Sequence, residues 1–167
     1  MQKNDRGGLL AYYQSALAHF GPLHWWPGET PFEVCVGAIL TQNTNWKNVE
    51  KAIANLKAAA VLSPGKLHHL DPARLAQLIR PAGYFNIKTR RLKHFVDHLV
   101  KQHDGDLERL FDQPIDRLRE ELLAIKGIGP ETADSMILYA AQKPIFVVDA
   151  YTKRIFVRHR VLSEEAD

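Results

Sequence analysis

The chain has 167 residues, of which 46% are hydrophobic and 25% charged, the composition of a globular protein with one fair-sized domain or two small lobes. Its net charge of +3 and its pI near 9.0 allow a polyanionic partner without requiring one. Cys35 is the only cysteine, which excludes an intrachain disulfide and a cysteine-ligated zinc or iron–sulfur site within this chain. No apolar run reaches membrane-spanning length, so no membrane partner is expected. We expect a reducing, cytoplasmic location.

The first half of the chain is predicted to form four helices. Apolar residues recur at helical spacing over residues 9–20, 31–40, 47–61 and 72–79. Asp71 and Pro72 are typical of a helix start, because an Asp side chain caps free amides and Pro fits the first turn. The stretch Ser63-Pro64-Gly65 is predicted to be a turn between the third and fourth helices.

The second half is predicted to be helical as well. A long basic helix over residues 86–103 is followed by helices over residues 107–111, 115–125 and 131–141. The apolar run Ile145–Val148 is too short to imply a sheet, so we interpret it as an extended connector into a helix that begins at or near Asp149. The pattern therefore predicts an all-α protein of many short helices.

Two glycines flank one isoleucine in the segment IKGIGP, which lies between two predicted helices. Gly127 can end the first helix, and Gly129 with Pro130 can begin the next. Such a turn presents backbone amides at a helix N-terminus, an arrangement that binds phosphate. Ile128 is expected to point inward, and Lys126 adds a positive charge. The alternative is a plain connection between two helices, for which glycine is also useful.

The chain resembles a known family at this segment and at three others. The pattern L-x-x-I-K-G-I-G-P-x-T-A resembles the helix–hairpin–helix element, which grips a DNA backbone. Together with the VVD that follows, it resembles the endonuclease III superfamily of DNA glycosylases. The segments WWPGETPFEVCVGAILTQNTNW and IRPAGYFNIKTRRLK make the chain similar to the endonuclease III-type 3-methyladenine DNA glycosylases, over roughly Leu9 to Phe156.

The resemblance implies the all-α helix–hairpin–helix glycosylase fold, which has two parts. A helical barrel is expected over residues 22–141, with the helix–hairpin–helix at 115–141. Residues 1–21 and 142–167 are expected to form a smaller lobe, truncated at its C-terminus compared with the family. Double-stranded DNA with a damaged base would bind across the cleft between the two parts, and the protein is expected to act as a monomer.

The resemblance also implies a monofunctional glycosylase for alkylated purines such as 3-methyladenine. Asp149 would be the catalytic carboxylate, which stabilises positive charge on the sugar and orients or deprotonates water. An acidic residue at a helix start is also explained by N-capping alone. Bifunctional members carry a lysine that forms a Schiff base at the position of Glu131, and a carboxylate cannot form that imine. The DNA backbone would be bound by Lys126, Gly127, Ile128, Gly129 and Thr132.

The WWP and LTQNT-x-W blocks, at the two ends of the first of these segments, contribute aromatic residues that the resemblance places around the flipped base. Trp25 and Trp46 would hold the base between their rings. Trp26 and Pro27 would shape the wall, and Glu131 would favour a positively charged base. An N3-alkylated adenine is a cation, which an indole attracts by about 0.5–2 kcal/mol per contact. The alternative for the tryptophans is core packing or simple burial at the surface.

Other polar residues have two interpretations each. Gln42 matches the side chain that fills the gap left in the duplex by the flipped base, or it is a helix C-cap. Four basic residues lie near the start of the long helix, and at least half of them are expected to be exposed: Lys88, Arg90, Arg91 and Lys93. His94 and His98 lie four residues apart, but no third ligand has a suitable spacing, so we interpret them as surface residues.

No metal and no cofactor are expected, although the resemblance allows a monovalent cation at the hairpin carbonyls. Two other functions stay open. One is a glycosylase for another lesion, such as an oxidised pyrimidine or a mispaired adenine. The other is a catalytically inactive DNA-binding fragment.

Overall fold

A computed structural model describes residues 5–23, 26–163 and 165. It is 69% helical and contains no strand within those residues, so the predicted all-α fold is confirmed. The helices are α1 (Asp5–Phe20), α2 (Pro31–Thr41), α3 (Trp46–Ala58), α4 (Pro64–His69), α5 (Pro72–Leu78), α6 (Phe85–His103), α7 (Leu107–Phe111), α8 (Ile115–Ala124), α9 (Pro130–Ser135) and α10 (Ala150–Arg158). None of the described helices is both long enough and apolar enough to cross a membrane.

Two compact units make up the chain. The terminal unit joins Met1–Pro27 to Asp149–Asp167, and the central unit is Gly28–Val148. In the terminal unit, the ring of Tyr12 on α1 contacts the ring of His159 after α10, with centroids 4.8 Å apart. Several large apolar side chains of this unit are exposed: Leu10, Tyr13, Leu17, Phe20, Tyr151 and Ile155.

Helix α2 forms the core of the central unit. Every residue from Phe32 to Leu40 is buried, which is the behaviour of a helix surrounded by protein on all sides. It contacts α3, α6, α9 and the single π-helical turn Met136–Ala140 that continues α9. Its N-terminus is capped by Thr30, whose hydroxyl oxygen accepts a hydrogen bond from the backbone amide of Glu33 at 3.2 Å.

Helix α6 is the longest helix of the central unit and packs against α2, α4, α5 and α7. Its buried apolar stripe is Leu92, Phe95, Val96 and Leu99, at the spacing of one helix face. The ring of Phe95 stacks on Phe32 of α2 with centroids 6.4 Å apart. The α6 stripe therefore anchors the basic helix on the core helix.

The helix starts follow the capping chemistry of the sequence. Asp71 accepts the amide of Arg74 at 2.9 Å and Pro72 begins α5, as predicted. Ser63-Pro64 begins the helix α4, where the sequence analysis predicted only a turn. That prediction was wrong because Pro in a first turn is compatible with both structures, and packing against α6 selects the helix.

Candidate functional site

The segment between α8 and α9 forms a tight turn. The amide of Ile128 donates to the carbonyl of Ile125 at 3.0 Å, and both side chains are buried. Lys126 between them is exposed. Gly129 adopts the N-cap position of α9, with Pro130 as the first helical residue. The predicted hairpin is therefore present, with its isoleucine directed inward and its lysine directed to solvent.

Two features of the structure require glycine at position 127. Its φ is +99°, a conformation that side chains with a Cβ rarely adopt. A Cβ at this position would also lie 2.4 Å from Cγ of Arg91 on α6. The close packing of the turn on α6 therefore needs a residue without a side chain.

Neither a positive φ nor a close contact requires glycine at position 129. Its φ of −99° and ψ of 177° are extended backbone, and a Cβ there would meet no atom of the described residues within 4 Å. The amides of Gly127 and Gly129 donate no hydrogen bond to the part of the chain that the structure describes. Two donors and an open surface therefore lie side by side at the start of α9.

Gln42 lies at the C-cap of α2 and its side chain binds the hairpin. The amide nitrogen donates to the carbonyl of Gly127 at 3.2 Å and to the hydroxyl of Thr132 at 2.9 Å. The amide oxygen accepts a hydrogen bond from the guanidinium of Arg91. Three separate segments of the sequence are thus brought together by Gln42, and the C-cap interpretation of Gln42 holds for its position on α2.

The two helices of the hairpin are joined by an ion pair that the sequence analysis did not identify. Nε of Arg119 on α8 lies 2.7 Å from Oδ1 of Asp134 on α9, and a second nitrogen lies 3.3 Å from Oδ2. Asp134 is buried, and its hydrogen bond raises the pKa of the Arg119 guanidinium. No sequence spacing signals this pair, because its members lie on different helices.

The remaining residues of the predicted pocket are distributed over both units. Glu131 is exposed in the first turn of α9, and Trp46 is half-buried as the first residue of α3. In the terminal unit, Trp26 is half-buried and Pro27 is exposed. Trp25 lies outside the described residues.

Asp149 is the N-cap of α10. Its Oδ1 accepts the amide of Thr152 at 2.7 Å and the hydroxyl of Thr152 at 2.9 Å. The amide of Asp149 donates in return to the Thr152 hydroxyl at 3.4 Å, which completes a capping box. The capping interpretation therefore holds for the position of Asp149, and the cap fixes the carboxylate against the start of α10.

The predicted exposure of the basic run was wrong. Of its four residues, only Arg90 is exposed. The ammonium of Lys88 is buried and donates to the carbonyls of Leu40 and Ala82, each at 2.8 Å. Burial, with the nearby charge of Arg91, lowers the pKa of Lys88 to about 8.

Lys93, the last member of that run, caps the end of α4. It donates to the carbonyls of Leu67 and His68 at 2.9 and 2.8 Å and to that of Leu70. Carbonyls at a helix C-terminus lack intrahelical partners, and a lysine from a neighbouring helix satisfies them. The run therefore holds the central unit together more than it faces solvent.

The two histidines, interpreted from the sequence as surface residues, are half-buried and contact neighbouring segments of the central unit. Nδ1 of His94 lies 2.9 Å from the carbonyl of Lys126 in the hairpin. Nε2 of His98 lies 2.7 Å from Oε1 of Glu121, and Nε2 of His103 lies 2.6 Å from the same oxygen. His98 therefore meets His103 and Glu121 rather than His94, and the sequence spacing could not reveal Glu121 because it lies on α8.

Glu121 keeps a negative charge in this cluster. Burial raises its pKa, but hydrogen bonds from His103, Gln113 and His98 outweigh that effect and lower the pKa to about 2. The carboxylate is therefore ionised throughout the neutral range.

Three carbonyls of the hairpin could contribute to the cation site that the resemblance allows. Those of Ile125, Lys126 and Gly127 each already contact one protein donor. A monovalent cation would fit through their second lone pairs, and it stays a prediction.

Known proteins of one family are similar to this chain. The family described as "HhH-GPD superfamily base excision DNA repair protein" matches residues 36–167. A Methanocaldococcus jannaschii protein with the provisional name DNA repair glycosylase MJ1434 is 48% identical over 168 residues, covering 99% of this chain and 76% of the relative. An endonuclease III of Thermotoga maritima is 31% identical over 125 residues, covering 75% of this chain and 54% of the relative.

Solved structures are similar over nearly the whole chain. The Helicobacter pylori 3-methyladenine DNA glycosylase MagIII, bound to 1,N6-ethenoadenine, is 32% identical, with a TM-score of 0.80 over 96% of this chain and 75% of that one. An endonuclease III–DNA complex has the same TM-score of 0.80 at 20% identity, over 100% of this chain and 73% of that one, which supports the fold alone. The resemblance identified from the sequence motifs is confirmed.

Proposed function

Because this chain belongs to the HhH-GPD superfamily of base excision DNA repair proteins, we propose that it is a monofunctional DNA glycosylase acting on alkylated purines in duplex DNA. The likeness to MagIII, a 3-methyladenine DNA glycosylase, supports this class of substrate at 32% identity. Glu131 in place of a lysine supports the monofunctional reaction, since a carboxylate cannot form an imine with the sugar.

The observation that best supports DNA binding is the open glycine at the start of α9. Nothing in the described part of the molecule requires glycine at position 129, so we attribute its use to the close approach of something outside it. A phosphate of the DNA backbone accepts hydrogen bonds from amides such as those of Gly127 and Gly129. These contacts are independent of base sequence, as a search for damage requires.

Asp149 would act on the sugar of the damaged nucleotide. As the glycosidic bond breaks, positive charge develops at the anomeric carbon, and a fixed carboxylate stabilises that charge. The capping box keeps the Asp149 side chain in one orientation, which supports a preorganised role. The bond electrons leave with the base, and water adds to the sugar with loss of a proton to a base such as Asp149.

The damaged base would be held by aromatic side chains. Trp25 and Trp46 would stack on its two faces, beside Trp26 and Pro27, and Glu131 would add attraction for a cationic ring. N3-alkylation makes adenine a cation, so stacking on an indole gains about 0.5–2 kcal/mol per contact over a neutral base. Gln42 would enter the duplex, which requires it to leave Gly127 and Thr132.

The reaction is tested with duplex DNA that carries a single 3-methyladenine analogue. We expect release of the free base, with strand breaks only after alkali treatment, and a loss of about 100-fold or more in rate for Asp149→Asn. DNA affinity should stay near that of the unchanged protein. Nicking without alkali would contradict the monofunctional assignment, and equal activity of Asp149→Asn would remove Asp149 from the mechanism.

The same assay separates the other two functions. Release of an oxidised pyrimidine or of adenine opposite a mispaired base, without release of alkylated purines, would assign a different lesion. Binding of damaged duplex with no release of any base would assign a DNA-binding role without catalysis.

The hairpin is tested by Gly129→Ala. We expect a fold of unchanged structure, destabilised by at most about 1 kcal/mol through the change of N-cap, and about tenfold weaker DNA binding from one lost phosphate contact. Gly65→Ala is the matched control, because its Cβ would likewise meet no atom within 4 Å among the residues that the structure describes. DNA binding of Gly129→Ala at full affinity would contradict the proposed phosphate contact.

A further inference from the structure

A cluster of two imidazoles and one carboxylate lies between α6 and α8. His98 and His103 come from the second half of α6, and Glu121 comes from α8. Their ligand atoms all lie within 4.8 Å of one another, and all three residues are half-buried. Nothing in the proposed glycosylase reaction uses them.

We propose that His98, His103 and Glu121 form a binding site for a divalent transition-metal ion of the zinc class. Two imidazole nitrogens and one carboxylate oxygen are ligands that zinc prefers, and three protein ligands leave a fourth position for water. Magnesium and calcium prefer oxygen ligands alone, so the two imidazoles select against them. The ion would join the end of α6 to the first helix of the hairpin.

The distances from the two imidazoles to Glu121 require only a small rearrangement. Nε2 of His98 and Nε2 of His103 lie 2.7 and 2.6 Å from Oε1 of Glu121, which are hydrogen-bond distances. Around a tetrahedral ion with bonds of about 2.0–2.1 Å, ligand atoms are about 3.3 Å apart. The ion would replace the shared protons, and each imidazole would move away from the oxygen by roughly 0.6–0.7 Å.

A second contact orients the carboxylate. Nε2 of Gln113 donates to Oε2 of Glu121 at 2.7 Å, which leaves Oε1 directed toward the two imidazoles. Hydrogen bonds of this kind to a metal-ligating carboxylate fix its orientation and raise metal affinity. Gln113 is therefore a positioning residue of the proposed site.

The competing explanation is a hydrogen-bonded cluster that binds no ion. In that case the imidazoles donate to Glu121 and join the two helices by themselves. The two explanations differ in whether the protein and its variants bind a metal ion. They are separated by titrating metal into the tag-free chain after treatment with a chelator.

Zinc chloride is titrated by calorimetry, and cobalt chloride by visible absorption, which reports four-coordinate nitrogen and oxygen ligation. We expect one zinc ion per chain, a rise in the midpoint of thermal unfolding that grows with zinc concentration, and no such rise with magnesium. His98→Ala and Glu121→Gln should each weaken zinc affinity about 100-fold or more, and Gln113→Ala about 10–100-fold.

Glu121→Gln keeps a hydrogen-bond acceptor for the imidazoles and preserves the size of the side chain, so it tests the site if an alanine variant does not fold. His69→Ala on the exposed end of α4 is the control for non-specific binding and should retain full affinity. No stoichiometric zinc binding by the unchanged protein would overturn the proposal. So would full zinc affinity in a folded Glu121→Gln variant.

Discussion

Lys88 shows how much one side chain can depend on its surroundings. Its ammonium is buried and is held by two backbone carbonyls. Charge in this site is disfavoured by burial, which is why the pKa falls from 10.5 to about 8. The folded protein therefore binds the Lys88 proton more weakly than the unfolded chain does.

This difference predicts a pH dependence of stability. Between pH 8 and 10.5, the unfolded chain holds a proton on Lys88 that the folded protein has lost, so the Lys88 contribution to stability rises with pH. We expect the free energy of unfolding, relative to Lys88→Met, to rise by about 3 kcal/mol over this range. Urea denaturation at several pH values measures it. The exposed Lys51→Met is the control, and a difference that does not change with pH would contradict the assigned pKa.

Gln42 is the residue that connects the core helix to the hairpin. Gln42→Ala would leave the carbonyl of Gly127 and the hydroxyl of Thr132 without their donor, so we predict a loss of about 1–3 kcal/mol in the free energy of unfolding. Chemical denaturation measures the loss, and the exposed Lys47→Ala is the control.

Arg91 contributes to the same network. A double-mutant cycle of Gln42→Ala and Arg91→Ala should give a coupling energy of about 0.5 kcal/mol or more, because the two side chains are in contact. Purely additive effects would show that Arg91 does not help to hold Gln42.

At the scale of elements, the hairpin depends on the pair between α8 and α9. Removing Arg119 leaves the buried carboxylate of Asp134 without its partner, so Arg119→Ala should cost about 1.5–3 kcal/mol in the free energy of unfolding. The exposed pair Arg117–Glu120 is a matched control on the same helix, and Arg117→Ala should cost less than about 1 kcal/mol. Equal effects of the two variants would contradict the role of the Arg119–Asp134 pair.

Most helices could be predicted because their signals are local. Apolar spacing and the Asp71-Pro72 start identify α5 and α6 from the sequence alone. The helix α4 and the π-helical turn Met136–Ala140 were missed, because packing against other helices decides both. Local pattern therefore gives the type and place of most elements but not the irregularities that packing imposes.

The candidate site also contains features that the sequence predicts and features that only the structure shows. The turn around Gly127 and Gly129 follows from the sequence, because glycine and proline determine local backbone geometry. The contacts of Gln42, the role of Arg91 beside Gly127 and the third member of the histidine cluster required the structure. Each of these joins residues from different helices, for which a single sequence contains no signal.

At the scale of the whole molecule, the modest net charge of +3 means that DNA affinity has to come from a few local contacts. Lys126 is exposed on the proposed phosphate-binding turn, so Lys126→Ala should lower the slope of log K against log salt concentration by about one. Fluorescence anisotropy with duplex DNA at several salt concentrations measures the slope. Lys51→Ala on α3 is the control, and an unchanged slope for Lys126→Ala would place Lys126 away from phosphate.

The complete enclosure of α2 also determines how this chain can diverge. A helix with one solvent face accepts changes at two or three positions in every turn, whereas each position from Phe32 to Leu40 is surrounded by neighbours. In a saturation-mutagenesis screen for folded protein, tolerated substitutions in α3 should recur with the helical period. In α2, tolerated substitutions should be rare at every consecutive position. The sequence of this helix should therefore change more slowly than that of the helices around it.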